Sequence, residues 1–281
     1  MTATTHRAAA PTNVGLSFPR LVRSEWIKVR SIRSTWWCYA VLVVVTIGMA
    51  VLLGGYAGDG SDMPQDAMNG QLVSVNTAAV SLAALVVGVL GVLIITGEYG
   101  TGQIRSTFTA DPGRTGAVLA KAAVLAATTF VVSVVATWIG VAASAALQAA
   151  SGIHADLTDP AVFLPLLGAS VYTTLLALLA FGIGLLVRSS AGGIAITLGI
   201  LLVLPIILSI VGSLLEAQWV MDLMQFLPSQ AGGQLYTYAY DGASSAQDGL
   251  VLDGWGGFGV LLAVVVVVNA LALTVARTRD V

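Results

Sequence analysis

Charged side chains are scarce in this sequence, and where they gather they suit gripping better than reacting. Residues 96–121, TGEYGTGQIRSTFTADPGRTGAVLAK, are the longest polar interruption flanked closely by two strongly apolar runs, and they hold Glu98, Arg105, Asp111, Arg114 and Lys121. Cradling a nucleotide triphosphate needs the GxxxxGK[ST] pattern, in which backbone N–H groups and a lysine surround the phosphates. The only lysines are Lys28 and Lys121, and neither follows a glycine. Intramembrane serine hydrolysis needs a serine beside a base, yet His6 and His154 both lie outside the apolar runs. His154, in SGIHADLTDP, has no second histidine or cysteine near it and reads as a solvated loop residue rather than a metal ligand. Cys38 is the single cysteine, so no internal disulfide exists. What remains is a glycine-rich, charged stretch suited to an aqueous partner; the plain alternative is a solvated hairpin.

The elements that position this stretch are membrane spans. Apolar residues make up 57% of the chain and charged residues 9%, with a mean hydropathy of +0.91, against about 25% charged residues in a soluble domain. Six uncharged runs, 36–56, 72–96, 122–148, 161–187, 191–214 and 255–276, are long enough to cross about 30 Å of hydrocarbon. The first is too long for a signal-peptide core and reads as an uncleaved anchor. The expected fold is an all-α integral membrane protein with six transmembrane helices in a domain spanning 36–276. Before it come a disordered tail, 1–19, and an interfacial helix, 20–35; residues 277–281 form a short C-terminal end.

Cations set orientation. With the N-terminus in the cytoplasm, Arg7, Arg20, Arg23, Lys28, Arg30 and Arg33 fall inside, followed by Arg105, Arg114 and Lys121, then Arg188, then Arg277 and Arg279, which accounts for all twelve. The opposite segments carry ten of the fourteen acids, among them Asp62 and Asp241. Lysine and arginine bias decides topology, so both termini are expected in the cytoplasm.

In RLVRSEWIKVRSIR, Val22, Trp26 and Val29 recur at helical spacing, while Arg20, Arg23 and Arg30 share another face. With Lys28 they predict a basic amphipathic helix in the headgroup layer; a plain topogenic flank is the alternative. In the central loop, 97–116, Gly97, Gly100 and Gly102 are expected to break the second span, IRSTFTA to form a short helix, and Asp111-Pro112-Gly113-Arg114 to make a type II turn. No Asp, Glu, Lys, Arg or His falls inside the six runs, which disfavours a proton-coupled transporter. Their mild polar groups, Asn76, Thr77, Thr129, Ser133 and Thr173, suit either helix-to-helix hydrogen bonds or the lining of a pathway. Pro205 should kink the fifth span. In the outer segment, 215–254, Leu215, Trp219, Leu223 and Phe226 share one helical face, Pro228 is expected to end that helix, and LYTYAY follows; a loop packed on the bundle is the alternative.

The order SEWIKVRSIRSTWW, then ITGEYGTGQIRSTFTADPGR with a lysine opening the third span, then FLPSQAGG before the last, resembles the type-2 ABC transporter permeases. The resemblance implies a connecting helix at the N-terminus and a coupling helix between spans two and three. Glu98, Tyr99, Gly100, Gly102, Arg105 and Arg114 would form the coupling element. It further implies a plasma-membrane exporter built from two permease chains and two copies of a separate ATPase. ATP and Mg would bind the ATPase, leaving this chain with no cofactor, no catalytic site and no nucleic-acid partner. An ATP-independent channel or scaffold is the contrasting reading.

Overall fold

The computed structural model describes residues 17–111, 113–240 and 252–278, and those residues are helical with no strand among them. The expected tail and the tip of the outer segment, 241–251, lie largely outside that description. Six helical stretches are long and apolar enough to cross a membrane: Arg33–Gly55, Gln65–Gly100, Thr115–Ala149, Pro160–Val187, Ser190–Leu215 and Gly254–Thr278. They match the six expected runs and extend several of them.

In chain order, α1 (Phe18–Ser31) precedes α2 (Arg33–Gly55); the second span is α3 (Gln65–Thr77) and α4 (Val80–Gly100), and α5 (Gln103–Ala110) leads to α6 (Thr115–Ala149). Next come α7 (Pro160–Val187) and the fifth span, α8 (Ser190–Leu198), a π-helical turn at Gly199–Val203 and α9 (Leu204–Leu215). The short α10 (Gln218–Met224) and α11 (Pro228–Gly233) precede α12 (Gly254–Thr278).

The centre is α7, whose apolar window is 78% buried, whereas that of the fifth span is 11% buried. A helix apolar on every side belongs inside a bundle, and α7 touches α3, α4, α6, α8 and α12. Lipid is as apolar as leucine, so close backbone approach supplies the contact energy. Gly91 of α4 sits against the Ala177 carbonyl of α7, and Gly184 of α7 lies against Val92 and Ile95.

Pro205 cannot donate, and just before it the helix widens into a π-turn, with Leu204 N–H bonding Gly199 C=O. Two expectations are corrected. Pro228 opens α11 instead of closing a helix, since its missing N–H costs nothing in a first turn. Gly97 and Gly100 do not break α4, which runs on to Gly100; the corner is Gly102, at φ 72°.

Alternating helix directions gather Arg23, Lys28, Arg105, Lys121, Arg188 and Arg277 at one end, the basic end, and Asp59, Asp62, Asp66, Asp156 and Asp159 at the other. At that acidic end Asn69 Oδ1 accepts from Gln65 Nε2 at 3.0 Å and from the Asp156 N–H at 2.8 Å, and its Nδ2 donates to Asp159 at 3.2 Å. His154 is exposed there, its carbonyl accepting from Gln65. LYTYAY packs onto the bundle: Tyr236 tilts against Tyr172, and Tyr238 donates to Asp66 at 2.6 Å. Leu215, Trp219, Leu223 and Phe226 face away from the protein, and Val220 anchors α10.

Candidate functional site

At the basic end, four charges from three helices meet out of water. On α1, Val22, Glu25, Lys28 and Val29 share the face turned toward α6, so a carboxylate and an ammonium enter with the apolar residues. Lys28 Nζ lies 2.7 Å from Glu25 Oε1 and 2.8 Å from Glu98 Oε1. Lys121 Nζ lies 2.9 Å from Glu98 Oε1 and also binds Glu25 Oε2. Glu25, Glu98 and Lys121 are each no more than 5% exposed. The quartet is electrically neutral, which is the condition for burying it. Burial alone would lower the Lys28 pKa; the hydrogen bonds it donates to Glu25 and Glu98, with their charges, outweigh it and hold the ammonium above the ordinary lysine value.

The uncharged runs themselves hold none of these four charges. The helices of spans two and three continue past the uncharged runs through Glu98 and Lys121. At 1.5 Å per residue the 35-residue α6 is about 50 Å long, more than the about 30 Å of hydrocarbon, so Lys121 sits in the helix but near its end. Glu98 is likewise not a loop charge displayed to solvent. Its Oε2 has no hydrogen-bond partner, both lysines using Oε1.

Beside the quartet, α5 is a small amphipathic helix. Ile104 and Phe108, one turn apart, are buried, while Gln103, Arg105, Ser106 and Thr109 are exposed. Two left-handed residues turn the chain into and out of it, Gly102 and Arg114, the latter at φ 57°. Gly113 does not take a positive φ, so the left-handed position expected there for a type II turn falls one residue later. Asp111 then accepts the Ala117 N–H at 2.8 Å, placing an anion at the start of α6 where the helix dipole favours it.

Two arginines tie this region to the chain's last helix. Arg114 covers the Phe108 ring at 5.2 Å and donates to the Ala276 carbonyl at 2.8 Å. Arg188 covers the Tyr99 ring at 5.4 Å. Of the expected coupling residues, Arg105 is therefore displayed, Gly102 and Arg114 are corners, Tyr99 is a packing partner, Glu98 is in the quartet and Gly100 ends α4. On α1, Arg23 and Arg30 are exposed, Lys28 is in the quartet, and Trp26 is 45% exposed at the flank facing α6.

The expected pathway residues lie at helix contacts. Asn76 donates to Ser144 at 2.8 Å, Thr129 pairs with the Tyr39 hydroxyl at 3.0 Å, and Thr173 donates to Ser133 at 3.0 Å, all buried; Thr77 bonds Val73 C=O of its own helix. Glu25 is the residue that sequence reasoning missed. Its spacing from Val22 and Val29 puts a carboxylate on the buried stripe, and that alone demands a buried cation.

A polytopic helical bundle with a charge-locked helix and a docked hairpin helix at one end defines a multi-pass membrane protein. The family model described as ABC-2 family transporter protein matches residues 21–203, about two thirds of the chain, and the chain belongs to that family. It is thus a multi-pass permease component of an ABC transporter. No curated protein matches it.

Proposed function

We propose that this permease works as a pair, coupled to two copies of a separate ATPase, and exports its cargo across the plasma membrane, with the basic end cytoplasmic. The observation that carries the reading is α5, with Ile104 and Phe108 seated on the bundle and Arg105 outward, between the ends of two spans. A helix held at two corners passes a push directly to α4 and α6. The quartet makes α1 move with them, because separating its charges would leave ions unpaired in a dry site, at a cost of several kcal/mol.

On this reading ATPase closure presses α5, and α4, α6 and α1 shift together to open the pathway outward. That pathway is assigned to the interface between two permease chains, since Asn76, Thr129, Ser133 and Thr173 are already hydrogen-bonded at helix contacts within one chain. ATP and magnesium stay on the ATPase.

Co-expression of the chain with a candidate ABC ATPase subunit from the same genome is the test, with co-purification and ATPase activity in proteoliposomes as readouts. A stable complex whose ATP turnover depends on the permease is expected. A chain that purifies alone and conducts or scaffolds without ATP would overturn the proposal.

A further inference from the structure

Two grooves run along the flank of the bundle at the basic end, separated by Trp26. The larger, about 590 Å³, lies between α1, α2 and α6, with Trp26, Arg30, Trp36, Tyr39, Thr128 and Val131 on its walls. The smaller, about 440 Å³, lies between α1 and α6, with Arg23 at its rim. Both are within the 300–1,000 Å³ of ligand sites. Arg23 and Arg30 are seven residues apart and so share one face of α1, each exposed and neither paired to an acid among the described residues.

We infer that these grooves bind one anionic phospholipid, its phosphate between Arg23 and Arg30 and an acyl chain on each side of Trp26. Charge complementarity selects the headgroup, because the rims carry arginines and no carboxylate. The walls select the chains. Trp36 is fixed by its indole N–H to the Arg30 carbonyl at 2.9 Å, and tryptophans with arginines are the side chains that hold the boundary between headgroups and acyl chains. Tyr39 lies six residues beyond Arg33 along α2, about 9 Å at 1.5 Å per residue, where chains begin. Its hydroxyl is already taken by Thr128, at 2.8 Å, and Thr129, so Tyr39 makes no polar demand on an acyl chain.

The bound lipid would brace α1, whose opposite face carries Glu25 and Lys28. This rests on the chain being a membrane protein and not on its coupling to an ATPase, so the two proposals fail separately. The test is native mass spectrometry of the detergent-purified full chain, titrated with phosphatidylglycerol or phosphatidylcholine of the same chains. Wild type should retain one phosphatidylglycerol in preference to phosphatidylcholine. Arg30→Gln should lower phosphatidylglycerol retention by about fivefold, the equivalent of the about 1 kcal/mol that one surface cation contributes, and leave phosphatidylcholine unchanged. Val131→Trp, which fills the groove from its open side, should lower both. Equal retention of the two lipids by wild type, or phosphatidylglycerol retention untouched by both variants, would overturn the site. So would a chain dimer that excludes lipid from the grooves.

Discussion

Lys121, two turns into α6, places its ammonium 2.9 Å from Glu98, at the last turn of α4, with both side chains almost wholly removed from solvent. Lys121 lies 23 positions after Glu98, across turn, short helix and turn, so this pair closes the hairpin that carries α5. Through Glu25 and Lys28 it also fixes α1.

The first prediction follows from the burial. Glu98→Ala or Lys121→Ala strands a charge in a dry site and should cost about 3–5 kcal/mol, seen as a lower melting temperature and loss of monodisperse protein in detergent. Glu98→Leu with Lys121→Met leaves Glu25 and Lys28 paired and should melt above either single variant. Single variants that melt like wild type would show the quartet to be energetically idle. Glu98, named from the sequence as part of a coupling element, thus also holds the fold together.

Arg105 differs from Glu98. It is exposed on α5, and surface substitutions usually change stability by no more than about 0.5 kcal/mol. Arg105→Ala should therefore melt normally, while ATPase stimulation and transport in the reconstituted complex fall together. Unchanged stimulation would return α5 to an ordinary solvated hairpin.

The difference between these two residues marks what was legible in the sequence. The six spans were, because a run of twenty apolar residues has no other stable setting. The short helix IRSTFTA was too, since flanking glycines and a proline punctuate it. Where the helices stop was not: Gly97 and Gly100 weaken a helix locally, but α4 is held to Gly100 by packing on α7 and by the lysines around Glu98. The quartet itself joins residues 25, 28, 98 and 121, and no local pattern links them. Only Glu25, a carboxylate between Val22 and Val29, hinted that α1 buries a charge. The mild polar residues were half legible, as hydrogen bonding across helices was foreseeable but the pairs Asn76–Ser144 and Thr173–Ser133 depend on register.

Alkaline pH should loosen α1. The Lys28 pKa is raised above 10.5 in the folded chain, so its contribution to stability is complete below the unfolded value and is lost as pH rises through the folded one. Melting temperature followed from pH 8 to 12 should fall in the upper part of that range, and Lys28→Met should flatten that part of the fall. An equal alkaline decline in the variant would place the titrating group elsewhere.

Orientation is the last expected outcome. Cations gather at the end bearing α1, α5 and Arg188, and translocation machinery retains lysine- and arginine-rich segments in the cytoplasm. Asp62 and Arg105 are exposed at opposite ends, so both accept a label without unfolding. In a Cys38→Ala background, Asp62→Cys should react with an impermeant thiol reagent on intact cells, and Arg105→Cys only after the membrane is opened. Labelling of position 105 in intact cells would invert the molecule. The quartet would then stand on the outside and α5 beyond the reach of any cytoplasmic ATPase, which would remove the coupling mechanism while leaving the fold and its buried charges as they are.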